Sequence, residues 1–219
     1  MSALLILAVD TSGNTASAAV VKDGLLLGSR LLYTARAHSQ ILLPMAKELL
    51  AETGNTVQAV DVFAAADGPG SYTGLRIGIA AMQALAFAGN KLCAGVSALE
   101  GMAWGLSARE GILCAAMKAR LDLCYCAFFE SDGQTVRRLT DDAVLPADEI
   151  AGRIAAYGSR VMIAGDGAAL LLPRCGNALP APLHLCSQSA CGIAMAAMRQ
   201  EPVPPGQLTV RYLQAVKIG

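Results

Sequence analysis

Residues 68–78 read Gly68-Pro69-Gly70-Ser71-Tyr72-Thr73-Gly74-Leu75-Arg76-Ile77-Gly78. They join a short apolar run, Val60 to Ala66, to a long one, Leu75 to Ala88, that closes at Gly89-Asn90. Buried strand, glycine turn and helix, in that order, form the unit from which α/β folds are built. Four glycines leave backbone N–H groups bare, and Ser71 or Thr73 can cap the helix that follows. Such a helix N-terminus suits an anion or the backbone of a partner. The same glycines would equally let the helix pack tightly against the preceding strand, and the turn by itself leaves both readings open.

Upstream, Leu4 to Val9 is a continuous apolar run ending in Asp10, the pattern of a buried strand with an acid at its C-terminal end. Thr15 to Lys22 and Gly24 to Tyr33 flank Asp23-Gly24, a hairpin signal that predicts an antiparallel meander. Ser39 to Glu52 places Ile41, Leu42, Met45, Leu49 and Leu50 at helical spacing and is closed by Gly54. Downstream, from about Ala108, Gly111 to Ala119 and Leu123 to Glu130 predict paired strands, and Pro146 to Tyr157 a helix. Arg160 to Ala164 with Gly165-Asp166-Gly167 repeats the strand and glycine turn, which suggests a duplicated α/β arrangement. Ser187 to Gln200 is the last predicted helix.

Composition narrows the function classes. A 219-residue chain with 54% hydrophobic and 16% charged residues folds around a substantial core. Seventeen basic residues balance seventeen acidic ones without a basic run, so any RNA would be held mainly by a partner. The apolar runs are too short to span a membrane, and no basic segment or cleavage site precedes Asp10, which predicts a soluble cytoplasmic protein. Seven scattered cysteines without a CxxC pair read as core residues of a reducing compartment. With two histidines, His38 and His184, far apart, no HxxxH or HExxH spacing exists, and neither a GxSxG elbow nor a GxxxxGK[ST] loop is present.

Two places could carry chemistry. Asp10-Thr11-Ser12-Gly13, at a strand end, offers a carboxylate for a hydrated cation and hydroxyls for phosphate oxygens. Together with Gly68, Gly70, Ser71 and Thr73 it would make a nucleotide-phosphate site where open α/β sheets bind ligands, although a satisfied turn would look the same. Arg76 sits near the positive end of its helix, where an anion should face it: Asp67, a carboxylate of another subunit, or a phosphate. The helix itself is apolar nearly all round, so its own core or another subunit must cover more than one side.

Leu4 to Ser12 with its hairpin, His38-Ser39 followed by Leu42-Leu43-Pro44, residues 68–78, and Val96-Ser97-Ala98-Leu99-Glu100 resemble the TsaB family, formerly YeaZ in bacteria. Lys118-Ala119-Arg120-Leu121-Asp122 to Tyr125, Gly165-Asp166-Gly167 and Val210-Arg211-Tyr212-Leu213 fit more loosely. The resemblance implies an α/β fold of the actin, Hsp70 and sugar-kinase (ASKHA) type with two mixed-sheet lobes. The first would span residues 1–105, completed by 201–219, and the second 106–200. It implies a cytoplasmic, non-catalytic accessory subunit that binds the TsaD transferase and, with TsaE, supports formation of N6-threonylcarbamoyladenosine in tRNAs reading codons that begin with A. Transferred by position, Ile41, Leu42, Met45, Leu49, Tyr72, Arg76, Ile79 and Met82 would form the interface with TsaD, or with a second copy when TsaD is absent. The tRNA would be reached only through the complex. The chain itself would need no cofactor or metal, with ATP or ADP placed at the interface with TsaD. The usual Asp-x-Gly-x-Thr of the superfamily is replaced by Asp10-Thr11-Ser12-Gly13-Asn14-Thr15, which argues against independent ATP hydrolysis. The alternatives are an autonomous ATP-dependent enzyme of the sugar-kinase type and a metallopeptidase.

Overall fold

The meander forms at the start of the chain, and two residues shape its second turn. Asp23 and Gly24 take φ of 50° and 82°, the left-handed pair that a two-residue hairpin needs. The computed structural model describes residues 3–33 and 38–213. In chain order the elements are β1 (Leu5–Asp10), β2 (Thr15–Lys22), β3 (Leu25–Tyr33), α1 (His38–Glu52), β4 (Val62–Gly68), α2 (Tyr72–Gly89), β5 (Leu92–Ser97) and α3 (Ala98–Trp104). They continue with β6 (Gly111–Lys118), β7 (Leu123–Ser131), β8 (Val136–Arg138), β9 (Ala143–Pro146), α4 (Ala147–Ala156), β10 (Val161–Ala164), α5 (Ala168–Leu171), β11 (Ala178–Pro180) and α6 (Ala190–Ala197).

The described residues divide into two units, with the division inside α3: those up to Gly101 with Gln188–Arg211, and Met102–Ser187 with residues 212–213. In the first unit the sheet order is β3-β2-β1-β4-β5. β1 pairs antiparallel with β2 and parallel with β4, so Ala8 lies opposite Ala19 on one side and Ala64 on the other. Every residue of β1 is buried because both sheet faces are covered. Leu7, Val9, Ala18, Phe63 and Ala65 pack with Leu42, Leu49, Ile79 and Met82 of α1 and α2. On the other face α6 lies across β1 and β2, and the Ser17 hydroxyl accepts from Ala190 N at 2.9 Å.

The second unit repeats the pattern. Its order is β11-β10-β6-β7-β8, with β9 also paired to β7. The first strand of the unit, β6, is again antiparallel to the next and parallel to the one after the helix. Its core gathers Cys114, Phe128, Ile150, Ile154, Ile163 and Leu171. The glycine turn after β10 closes on the end of β6: Gly165 has φ of 93°, and a Cβ there would lie 2.0 Å from the Ala116 carbonyl oxygen.

One expectation about boundaries changes. Residues 188–200, expected in the second lobe, lie with the first unit. The reason is α6, where a Cβ on Gly192 would lie 1.8 Å from the Gly101 carbonyl oxygen, an approach only paired small residues permit. The segment from Glu201 to Arg211 also runs along the first unit, without an α-helix of its own, while residues 214–219 lie outside the described residues.

Candidate functional site

The glycine turn is built by close approach to the end of β1. Ser71 N donates to the Ser12 carbonyl at 2.7 Å, and a Cβ on Gly70 would lie 2.4 Å from that same oxygen. A Cβ on Gly74 would lie 2.0 Å from the Thr11 carbonyl oxygen, and one on Gly78 2.6 Å from the Thr11 hydroxyl. Ser71 caps α2, its hydroxyl accepting from Gly74 N at 3.2 Å. The other end closes on Asn90 in the left-handed conformation, φ 51°.

The polar groups at the end of β1 are turned inward. The Thr11 hydroxyl donates to the Gly74 carbonyl at 2.7 Å, and the Ser12 hydroxyl and N–H both donate to Asp10 Oδ1, at 2.7 and 2.8 Å. Asp10, Thr11 and Ser12 are buried, and the Gln188 side chain lies directly over Gly13. Burial pushes the Asp10 carboxyl up to about 6, against the lowering effect of its two bonds from Ser12. Its Oδ2 has no hydrogen-bond partner. Of the expected phosphate set, Asp10, Thr11, Ser12 and Gly68 are buried, Gly70 is half-buried, and Ser71 and Thr73 are exposed. Among the described residues, no group of three or more His, Cys, Asp or Glu side chains is placed to hold a metal ion.

The expected interface residues separate into two sets. Leu42, Met45, Leu49, Ile79 and Met82 belong to the core beneath the two helices. Ile41 is half-buried, while Tyr72 and Arg76 are exposed. The Arg76 guanidinium lies over the Tyr72 ring, 3.9 Å from its centre, a cation–π contact one helical turn apart. Asp67, a candidate partner for Arg76, holds Arg211 at 2.6 Å.

The structure adds residues the sequence reading missed. Among the exposed positions of α2, Tyr72, Arg76, Ala80, Ala84 and Phe87 form one stripe along the helix, on a different side from the buried Leu75, Met82 and Ala86. Phe87 is 65% exposed. On α1 the exposed positions include Gln40, Leu43 and Pro44. A groove of about 570 Å³ runs between α1 and β3, lined by Leu32, Gln40, Ile41 and Pro44 and bordered by Arg30, which pairs with Glu48 and Glu52 at 2.5 and 2.6 Å. Because α2 is apolar nearly all round, hydrophobic periodicity gave it no direction, and side-chain size gives none either: Ala81 and Ala86 are buried while Tyr72 and Phe87 are exposed.

Residues 32–211 match the family model described as TsaD: tRNA N6-adenosine threonylcarbamoyltransferase. The chain is 29% identical over 218 residues to the tRNA threonylcarbamoyladenosine biosynthesis protein TsaB of Escherichia coli, covering 90% of this chain and 93% of that protein. It is similar to the solved structure of YeaZ from Pseudomonas aeruginosa, with 32% identity and a TM-score of 0.82 over 96% of this chain and 100% of that one. A ROK hexokinase from Thermus thermophilus, 12% identical, superimposes with a TM-score of 0.53 over 90% of this chain and 99% of that one. That likeness concerns the fold alone, and with the two mixed sheets it makes the architecture a two-lobed, actin-like one.

Proposed function

The chain belongs to the TsaB (YeaZ) branch of the TsaD family, and on that premise we propose that it is the non-catalytic subunit that docks onto the TsaD transferase. It takes part in tRNA threonylcarbamoyladenosine biosynthesis. The observation that carries the reading is the exposed stripe of α2, where Tyr72, Arg76, Ala80, Ala84 and Phe87 form an apolar face ending in an arginine and two aromatic rings. Small residues in the middle let a second helix approach closely, and aromatic and arginine side chains at its edges are the types that dominate binding energy. In the absence of TsaD the same face would pair two copies of the chain.

What favours an accessory role over a self-sufficient ATP-dependent enzyme is the state of the β1 corner. The hydroxyls of Thr11 and Ser12 are spent on Gly74 and Asp10, and Gln188 covers Gly13. ATP or ADP acting in the complex would be held chiefly by TsaD, with TsaE supporting turnover and the tRNA reached through TsaD. No described helix is long and apolar enough to cross a membrane, and we place the complex in the cytoplasm. The direct test is binding of purified TsaD to the chain and to its Ala84→Arg variant, by calorimetry. Loss of binding at unchanged thermal stability is expected, and parental affinity in the variant would remove α2 from the interface.

A further inference from the structure

The segment from Glu201 to Arg211 is tied to the first unit at four successive points. Val203 and Cys93 exchange backbone hydrogen bonds, each 2.8 Å, at the edge of β5. The Gln83 amide of α2 donates to the Pro205 and Leu208 carbonyls at 2.7 and 3.0 Å, and the Leu208 side chain is buried in the core. Arg211 closes the series: its N–H donates to the Asp67 carbonyl at 2.7 Å and its guanidinium to Asp67 Oδ1 at 2.6 Å. Asp67 is 6% exposed, and a Cβ on Gly95 would lie 2.5 Å from its Oδ2, so removing the arginine would take a cation away from a buried carboxylate.

Arg211 also touches the glycine turn itself. Gly68, at φ 140°, lies so close to the Arg211 carbonyl that a Cβ there would sit 2.3 Å from its oxygen. The turn Gly68–Ser71 is thus held from two sides, by Arg211 at Gly68 and by Ser12 at Gly70 and Ser71, and it delivers the chain into Tyr72. The Gln83 amide holds the same helix three turns further on.

We infer that Arg211 is a positioning residue of the docking face: through Asp67 and Gly68 the C-terminal segment fixes the turn that sets Tyr72 and Arg76. The inference rests on the docking reading above and adds its control element. A clasp formed by the chain's far end means that α2 presents its N-terminal residues correctly only after residues 201–211 have docked. Changes around Arg211 reach the partner without touching it.

The test uses the full chain with Arg211→Ala, Arg211→Lys and Gln83→Leu, the last loosening the same segment at another point without stranding a charge. Amide hydrogen exchange is measured over residues 66–76 of the isolated chain, and TsaD affinity separately. Arg211→Ala and Gln83→Leu should speed exchange across the turn and weaken TsaD binding roughly tenfold, while Arg211→Lys, which keeps the charge on Asp67, recovers most of the affinity. Unchanged exchange over 66–76 in both loosened variants would overturn the inference, whatever the partner does. So would faster exchange there with parental TsaD affinity. Should Arg211→Ala fail to fold, Gln83→Leu decides by the same two readouts.

Discussion

The Thr11 hydroxyl donates to the carbonyl of Gly74 at 2.7 Å, joining the end of the first strand to the first turn of α2. That bond, with the bare Cα atoms of Gly74 and Gly78 against Thr11, makes the glycine motif a packing device. Alanine in a helix interior ordinarily stabilises by roughly 1 kcal/mol relative to glycine. Here the sign should reverse: a Cβ on Gly74 lies 2.0 Å from the Thr11 carbonyl oxygen, so Gly74→Ala should destabilise by about 2–4 kcal/mol, read as a lower urea midpoint.

Asp10 should make the protein more stable when its charge is removed. Its carboxyl is raised from 3.8 to about 6 by burial, so the native state holds the proton more tightly than the unfolded chain does. Stability from this group is therefore greatest below about pH 4 and falls as pH rises towards 6, above which the full cost of the buried charge persists. Asp10→Asn keeps the acceptor for Ser12, and it should raise stability at pH 7.5 by about 1–3 kcal/mol while changing little near pH 3.5. Unfolding curves at the two pH values measure the difference.

How much of this was legible in the sequence depends on which residues carried it. Alternation and apolar runs placed β1 to β4 and both large helices of the first unit, because Asp23-Gly24, Ser71 and Asn90 are strong local punctuation. The short β5, β8 and β9 carry no clear signal of their own, since their pairing depends on neighbours distant in the chain. The direction of α2 was hidden by alanines on its outer face, and so Ile79 and Met82 were placed outward when they are core. The inward turn of Thr11 and Ser12 was equally invisible: hydroxyls at a strand end look the same whether they meet a phosphate or the Gly74 carbonyl.

The two sides of α2 should respond differently to substitution. Met82→Ala opens a cavity in the core and should cost about 2–5 kcal/mol of stability. Ala80→Glu, on the exposed stripe, should change stability by less than about 0.5 kcal/mol and still abolish TsaD binding. Thermal melts alongside a binding assay separate the two effects.

Thiol labelling should follow burial. Cys114 and Cys126 are buried, and burial pushes the Cys126 thiol up to about 12 and Cys114 well above its usual value. In the native protein at pH 8 they should resist a maleimide that labels the half-buried Cys191, and all should react in urea. Mass mapping of the labelled peptides gives the order.

The central claim is that the chain supports the transferase through the outer stripe of α2 and performs no nucleotide chemistry of its own. It is tested most directly by reconstitution: TsaD, TsaE, threonylcarbamoyl-adenylate synthase, tRNA, threonine, bicarbonate and ATP, with the chain omitted or supplied as parent, Asp10→Asn or Ala84→Arg. Threonylcarbamoyladenosine, scored by mass spectrometry, should form with the parent and Asp10→Asn and be lost on omission and with Ala84→Arg. Product that persists with Ala84→Arg but vanishes with a folded Asp10→Asn chain would contradict the account and assign the chemistry to the β1 corner.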